Sequence, residues 1–485
     1  MRSKSLPDLP FRLPIKIDTV SNGEFVPEPL DARLRWVVNT ARERIDRASG
    51  RSALSRREFL RSSCAAATVL LALNETACGG GGYALPKEAG TEPDAARKLE
   101  GSEFVFDVQT HHVSPERPWW KLERPTMATF LKTTGKAKSC SNHWTECFAR
   151  DAYLKEIFLD SDTSMAVLSA LWGTDDINAI TVEEMALTRE RMAKTAGAPR
   201  LRIHGVVLPK SEPREKSAAR MQRTAESLDI SAWKLYPVWS SDNKGYRLDD
   251  PETGLWTLRE GVRLGIPLFA VHKGFPLPGA ENAFSSPIDV GPAAKAVPEA
   301  TILVYHSGCD LSKKEGPYDP KAETGVDALI RGVKESGIGK DGNVYAELGS
   351  IWRVMMKDPD QAAHVLGKLL VHLGEDRILW GTDSIWYGSP QDQIQAFRAF
   401  QIGKEYQERY GYPELTPAIK AKILGLNAAR VYRVDVDEVR RAQKKDAVSQ
   451  ARLEYQNDPR PSFDTYGPRT RRELASLLRA FGPFG

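Results

Sequence analysis

The sequence has few cysteines, no long apolar run and no glycine-rich phosphate loop, and each absence narrows the choice of function. Five cysteines among 485 residues are too few for a dense disulfide framework. No apolar run reaches the roughly 20 residues that a membrane span needs. Neither G-x-G-x-x-G nor G-x-x-x-x-G-K-[ST] follows the first predicted strand, which argues against a doubly wound nucleotide-binding sheet.

The net charge and its distribution along the chain indicate no strongly charged partner. The net charge is only +4, and the basic excess lies near the two ends, around Arg51–Arg61 and Arg440–Lys445. No run of aromatic residues is interleaved with Lys and Arg, so we expect no nucleic-acid partner. Hydrophobic residues make up 41% of the chain, which is ordinary for a globular protein and enough for one large core.

The cysteines leave the redox state open. Cys64 and Cys78 lie in or beside a segment that resembles an export signal, described next. Cys140 and Cys147 are close enough in sequence to pair across a short loop, which would leave Cys309 free. Three unpaired thiols are the alternative, since a protein that folds before export does so in a reducing compartment.

A pair of arginines precedes a short apolar stretch near the N-terminus. The segment Ser55–Arg61 reads S-R-R-E-F-L-R and is followed by the apolar run Ala65–Leu73. It resembles a twin-arginine export signal, which predicts the twin-arginine translocase as a partner and a periplasmic or other extracytoplasmic location. More than fifty residues precede the arginines, and no clear cleavage site follows, although Ala77–Gly79 is a candidate. A cytoplasmic amphipathic helix that happens to contain two arginines is the alternative.

The rest of the chain alternates β-rich and helical segments, which indicates βαβ units around a parallel sheet. We therefore divide the chain into a leader (1–54), the signal with its glycine linker (55–82), a connector (83–100), a barrel (101–435) and a C-terminal extension (436–485). Eight strands favour a (β/α)₈ barrel over a doubly wound sheet. They are predicted at Glu103–Thr110, Ser164–Leu171, Leu201–Leu208, Ala232–Tyr236, Pro267–His272, Thr301–His306, Asn343–Leu348 and Arg377–Gly381.

Metal-binding residue types stand at the ends of several predicted strands. His111, His272, His306 and Asp383 follow the first, fifth, sixth and eighth strands. Reacting groups in a parallel barrel lie at the carboxyl ends of the strands. Two imidazoles and a carboxylate match the ligands of a catalytic Zn²⁺ or Mn²⁺ site with open positions. The sequence therefore predicts a site with one divalent metal ion.

These motifs resemble those of the amidohydrolase superfamily. Asp107–His111 is similar to its D-x-H-x-H signature, and Trp380–Asp383 and the late block Ile423–Arg430 resemble its amidohydrolase-related branch. That branch contains hydrolases and also decarboxylases of the aminocarboxymuconate-semialdehyde type. The resemblance covers residues 101–435 and implies a TIM barrel.

The resemblance also implies roles for single residues. His111, His272 and Asp383 become metal ligands, and Asp383 is also the general base for a metal-activated water. His306 becomes the residue that polarises the substrate or moves a proton. Gln109 departs from the pattern, which has histidine there; its amide oxygen is a weaker ligand that suits hard ions better than Zn²⁺. Alternation along the strand aims Gln109 inward with His111 and Asp107.

The expected substrate is a small molecule, with Lys234 binding a carboxylate and Trp386 lining the pocket. A carbamylated, bridging Lys234 is the alternative for that residue. The predicted activity is metal-dependent hydrolysis of an ester, lactone or amide. Two alternatives stay open, non-oxidative decarboxylation of an aromatic or unsaturated acid and a non-catalytic exported barrel with a degenerate metal site. The C-terminal extension wraps the barrel or forms a homo-oligomer contact.

Overall fold

The structure, a computed structural model, describes residues 12–17, 30–121, 143–174, 178–238, 245–275 and 282–459. Eight parallel strands follow one another in chain order and pair with their sequence neighbours. This confirms the predicted (β/α)₈ barrel. The strands are Val105–Thr110, Thr163–Leu168, Leu201–Val207, Ala232–Leu235, Leu268–His272, Thr301–Tyr305, Val344–Glu347 and Ile378–Leu379.

The eighth strand closes the barrel against the first through residues near its end. Val108 N donates to Trp380 O over 3.0 Å, and Asp383 N donates to Gln109 O over 2.9 Å. A parallel bridge between Thr110 and Ser384 extends this seam. The hydrogen bonds of this seam therefore hold two of the predicted site residues, Gln109 and Asp383, next to each other.

Helices follow the strands and cover the outside of the barrel. This confirms the alternation of β-rich and helical segments along the chain. The α-helices are Ala32–Ser49, Arg56–Leu60, Ser63–Asn74, Pro93–Ala96, Arg150–Leu154, Val182–Ala196, Arg214–Ser227, Gly254–Arg263, Val290–Ala296, Gly325–Glu335, Ile351–Met355, Pro359–His372, Gln391–Ala399, Lys404–Tyr410, Pro417–Ala421, Asn427–Val431, Val436–Gln443 and Ala447–Tyr455. π-helical turns span Lys155–Leu159 and Lys422–Leu426.

The late block Ile423–Arg430 and the residues after it close the lower end of the barrel. Asn427 Nδ2 donates to the carbonyl of Ile378 over 2.9 Å, which ties the block to the eighth strand. Tyr432 packs on Phe106 with ring centroids 5.5 Å apart, and its hydroxyl lies 2.9 Å from His204 Nε2. The block thus closes the barrel at the N-terminal ends of the strands, which we call the floor. This end is opposite to the predicted site.

The described residues before the barrel are packed on it. Helix Ala32–Ser49 buries one apolar stripe, and helix Ser63–Asn74 is buried on nearly all sides. Strand Gly81–Tyr83 pairs in antiparallel fashion with strand Phe400–Ile402. Tertiary contacts supply the order that the polar, proline-containing leader sequence did not predict.

Among the described residues, no helix is both long and apolar enough to span a bilayer. Cys147 is disulfide-bonded, whereas Cys64, Cys78 and Cys309 are free thiols. Cys140, the predicted partner of Cys147, lies outside the described residues.

We expect Gly425→Ala to lower the free energy of unfolding by about 2 kcal/mol, because an added Cβ would overlap the carbonyl group of Phe104 on the first strand. Gly339→Ala is the matched control, since nothing lies within 4 Å of its Cβ position. Denaturant unfolding of both variants measures the difference. Equal stability of the two variants would contradict the tight contact between the late block and the barrel.

Candidate active site

The structure brings His111 and Asp383 together at the carboxyl end of the barrel. His111 Nε2 lies 3.1 Å from Asp383 Oδ1, and both side chains are only 3% exposed. His111 Nδ1 lies 2.9 Å from the carbonyl oxygen of Ser169, to which it donates. That hydrogen bond leaves Nε2 as the nitrogen that faces the interior, and it fixes the ring in the orientation typical of metal-ligating histidines.

His272 and His306 complete a buried group of ionisable side chains with them. Their ring centroids are 4.7 Å apart, and both residues are almost completely buried. His306 Nδ1 lies 2.8 Å from the carbonyl oxygen of Gly349, so this ring also presents Nε2 to the interior. Burial lowers the pKa of His306 to about 4 and drives the pKa of His272 well below its usual value. Both rings are therefore neutral near pH 7, as metal ligation and proton acceptance require.

Gln109 lies between the carboxylate and the histidines. Its Nε2 donates to Asp383 Oδ1 over 3.2 Å and lies 3.5 Å from His306 Nε2. Its Oε1 is buried and has no hydrogen-bond partner among the described residues. A half-turn of the amide would exchange the two atoms and aim the carbonyl oxygen at the same space.

Asp107 does not join this group, although alternation predicted that it would. The pairing of the first strand with the second shifts register between Asp107 and Thr110. The carboxylate of Asp107 accepts hydrogen bonds from Thr382 N and Gln109 N, both over 3.1 Å, and from the hydroxyl of Thr382. It therefore braces the seam between the first and eighth strands.

Three residues that sequence reasoning had not assigned to the site hold it in place. Ser350 donates its hydroxyl to Asp383 Oδ2 over 2.6 Å and lies 3.0 Å from the hydroxyl of Tyr387. Glu347 accepts a hydrogen bond from the backbone N–H of His306 over 2.9 Å. The only sequence signal for these residues is that Glu347 and Ser350 lie at and just after the end of the seventh strand.

Asp383 stays ionised in this setting. Burial by itself raises the pKa of its carboxyl group, but the hydrogen bonds from His111 and from the Ser350 hydroxyl lower the pKa below its usual value. Ser350 binds Oδ2, which leaves Oδ1 as the oxygen that faces His111 and Gln109. The carboxylate is thus held in one orientation with one oxygen available.

Lys234 and Trp386, the predicted substrate-binding residues, are both buried in or beside this group. Lys234 Nζ lies 3.6 Å from the ring centroid of Tyr305 and 4.6 Å from that of Tyr236, inside the barrel. Trp386 stacks on His111 with ring centroids 5.4 Å apart and an interplanar angle of 11°. The ammonium group thus lies beside aromatic faces, and the indole covers one side of His111.

The backbone around the site is strained at several non-glycine residues. Phe275, His306, Ser307, Ser350 and Asp383 all have φ between 42° and 60°. Each follows the end of the fifth, sixth, seventh or eighth strand. Such conformations cost about 1–3 kcal/mol per residue and cluster at functional sites. The strain therefore supports the assignment of this end of the barrel as the site.

The side chains fit a divalent metal ion in donor type and direction. His111 presents Nε2 to the interior, the neutral ring of His272 lies beside it, one carboxylate is ionised, and Oε1 of Gln109 has no hydrogen-bond partner among the described residues. The arrangement is not preformed, however. Within the described ranges no three His, Cys, Asp or Glu side chains are placed to hold a metal together. In this arrangement the amide nitrogen of Gln109, rather than its oxygen, faces Asp383 and His306.

Comparison with known proteins yields one sequence match. A family model described as amidohydrolase matches residues 158–434, more than half of the chain. This range contains His272, His306 and Asp383 but not the first strand, which carries Gln109 and His111. No curated protein sequence matches the chain.

Several solved structures resemble the chain at low identity. One is an uncharacterised TIM-barrel protein of Bordetella bronchiseptica. It is 14% identical, the match covers 68% of this chain and 98% of that one, and the TM-score is 0.45. A 5-carboxyvanillate decarboxylase of Novosphingobium aromaticivorans, complexed with manganese, is 14% identical over 69% of this chain and 97% of that one, with a TM-score of 0.45. A putative 2-pyrone-4,6-dicarboxylic acid hydrolase of Pseudomonas putida is 16% identical over 69% and 98%, with a TM-score of 0.39. At these TM-scores we draw nothing from them about function.

We expect Asp107→Asn to make stability less dependent on pH. Burial raises the pKa of Asp107 from 3.8 to about 7. The folded state thus keeps a proton that the unfolded chain loses, so this contribution to stability is complete below about pH 4 and is lost as the pH rises to about 7. An asparagine can accept the two N–H groups with its oxygen and donate to Thr382, without titrating.

The measurement is the melting temperature of chelator-treated protein between about pH 4 and about pH 7. The wild type should lose more stability over this range than Asp107→Asn. Asp341→Asn, at an exposed position, is the control and should follow the wild type. Parallel curves for all three proteins would refute the buried, protonated Asp107.

Proposed function

Since the chain belongs to the amidohydrolase family, we propose that it is a metal-dependent hydrolase that acts through His111, His272, His306 and Asp383. One observation carries this proposal. These four side chains follow four different strands, yet they are buried together at the carboxyl end of the barrel, with at least two ring nitrogens aimed inward by hydrogen bonds to backbone carbonyls. A structural role would not require this convergence of titratable groups.

We assign the metal to His111, His272 and Asp383, with Gln109 as a fourth ligand through its carbonyl oxygen. Zn²⁺ and Mn²⁺ suit a set of imidazole and oxygen donors. When bound, the ion supplies a Lewis acid that makes water a nucleophile near neutral pH. Gln109 is a poorer donor than histidine, so we expect weaker metal binding than at a site with a complete pair of histidines on the first strand.

The protein's own residues then handle the protons. Asp383 enters as the carboxylate, and its Oδ1 accepts a proton from the attacking water, while Ser350 keeps Oδ2 occupied. His306 enters neutral, because its pKa is about 4. Because Nδ1 is bound to the carbonyl oxygen of Gly349, Nε2 is the atom that accepts a proton, and we assign His306 to moving a proton to the leaving group.

Decarboxylation is the second candidate, and Lys234 is the observation that favours it. A buried ammonium group inside the barrel offers a counter-charge to a substrate carboxylate. Tyr236 and Tyr305 border that group with their ring faces. A panel of esters, lactones, amides and aromatic acids, each tested with and without Mn²⁺ or Zn²⁺, separates the two reactions by the product formed.

We expect His272→Ala and Asp383→Ala to abolish activity on any substrate that the wild type turns over, with a loss of at least about a thousandfold. Circular dichroism should show that both variants remain folded. Asp341→Asn, which is exposed and lies before the start of the seventh strand, is the activity control. A retained rate in either alanine variant would refute the assigned site.

Elemental analysis of protein purified without chelator tests the metal separately. We expect about one metal ion per chain after addition of Mn²⁺ or Zn²⁺. A fully folded protein that binds neither ion would contradict both the hydrolase and the decarboxylase proposal. It would favour a non-catalytic barrel with a degenerate metal site.

We expect Gln109→His to bind Mn²⁺ or Zn²⁺ more tightly than the wild type, because imidazole is the better donor at that position. Calorimetric titration of the chelator-treated proteins measures the two affinities. Gln109→Ala should bind more weakly than the wild type if the amide oxygen is a ligand. Equal affinities of wild type and Gln109→Ala would show that Gln109 does not coordinate.

A further inference from the structure

The segment that resembles an export signal forms part of the folded core. We call residues 30–83 the N-terminal strap. We propose that the N-terminal strap stays in the mature protein as a structural element and is not removed as an export signal. The alternative to an export signal was a helix that happens to contain two arginines, and the proposal extends that interpretation to the whole strap. It does not depend on the proposed activity.

The apolar stretch of the predicted signal is a core helix. Helix Ser63–Asn74 is buried along nearly its whole surface, as expected of a helix that is apolar all round. A signal must present this stretch to the export machinery, whereas here it is inaccessible once the protein has folded. Its buried residues are Cys64, Ala65, Ala66, Ala67, Thr68, Val69, Leu70, Ala72 and Leu73.

The residues around the arginine pair have a local structural explanation. Ser55 Oγ accepts from the backbone N–H of Glu58, and Glu58 Oε2 accepts from Ser55 N over 2.7 Å. The two residues form a capping box that starts helix Arg56–Leu60. Arg56 pairs with Asp46 of the preceding helix over 2.9 Å. The sequence S-R-R-E thus serves a helix N-terminus in the folded protein.

The candidate cleavage point is bound to the barrel. Asp360 accepts the backbone N–H groups of Cys78 and Gly80, each over 2.8 Å. Asn74 Oδ1 accepts a hydrogen bond from the backbone N–H of Tyr83 over 2.7 Å, and Asn74 Nδ2 donates one to the carbonyl oxygen of Tyr83 over 2.6 Å. Strand Gly81–Tyr83 then pairs with Phe400–Ile402. Cys78 and Gly79 are themselves exposed, but cleavage after Ala77 would separate helix Ser63–Asn74 from the strand to which Asn74 binds.

Residues upstream of the strap are also part of the fold. Lys16 Nζ forms a buried ion pair with Asp392 Oδ1 over 3.1 Å and donates to the carbonyl of Ser389 over 2.8 Å. Ser389 and Asp392 follow the loop that begins at Asp383. Cleavage near Ala77 would remove Lys16 and leave the carboxylate of Asp392 without its buried partner, which is strongly unfavourable.

The first test is the N-terminus of the native protein. The full chain is produced in a bacterium with an active twin-arginine pathway and purified, and its mass and N-terminal sequence are determined. We expect residues 55–83 in the purified protein, and we expect Arg56→Lys/Arg57→Lys to leave its cellular distribution unchanged. A mature protein that starts at or after Ala77, or an export that stops in the double variant, would overturn the proposal.

The second test asks whether the helix is packed in the purified protein. Ala67→Leu strengthens an apolar signal stretch but overfills a packed core, so we expect its melting temperature to fall by at least about 3 °C. Ala32→Leu, an exposed position on the first helix of the strap, is the matched control and should melt like the wild type. Ala67→Gly replaces Ala67→Leu if the larger residue prevents folding. Wild-type melting of both Ala67 variants would overturn the proposal.

Discussion

A carboxylate buried in an apolar barrel is stable only where hydrogen-bond donors and cations surround it, and the requirements of Asp383 organise this site. Gln109 and His111 approach it from the first strand and Ser350 from the loop after the seventh. The backbone N–H of the same aspartate donates to Gln109 O at the seam that closes the barrel. Closing the sheet and assembling the site are therefore one event, since the same two strands supply both.

The residues that stabilise the barrel and the residues of the candidate site lie at opposite ends of its axis. At the floor, Tyr432 and the late block fill the interior and bind the strands with hydrogen bonds that involve no titratable group of the site. At the opposite end, the chain accepts positive φ values at His306 and Asp383 and leaves Gln109 Oε1 without a partner among the described residues. The packed floor and the outer helices offset these local costs, as expected where a scaffold carries a strained site.

Burial also sets the charge of the site. It keeps His272 and His306 neutral and raises the pKa of Glu347 to about 8, while Asp383 remains ionised because donors surround it. Burial in one site thus leaves the histidines uncharged and the aspartate charged. It prepares neutral nitrogens for ligation or proton acceptance, and it reserves one negative charge for the base.

The sequence by itself determined the barrel and predicted four residues that the structure brings together at one end of it. Parallel strands covered on both faces are continuous apolar runs, so all eight were predicted with only small errors at their ends. His111, His272, His306 and Asp383 were predicted as site residues because each stands at or just after the end of such a run. The tertiary structure decided what depends on residues distant in the chain. It turned Asp107 to Thr382 through a register shift, recruited Ser350 and Glu347, and buried the apolar stretch at Val69 that the sequence alone had assigned to export. Periodicity reports only local geometry, whereas hydrogen-bond partners and burial exist only once distant segments have packed together.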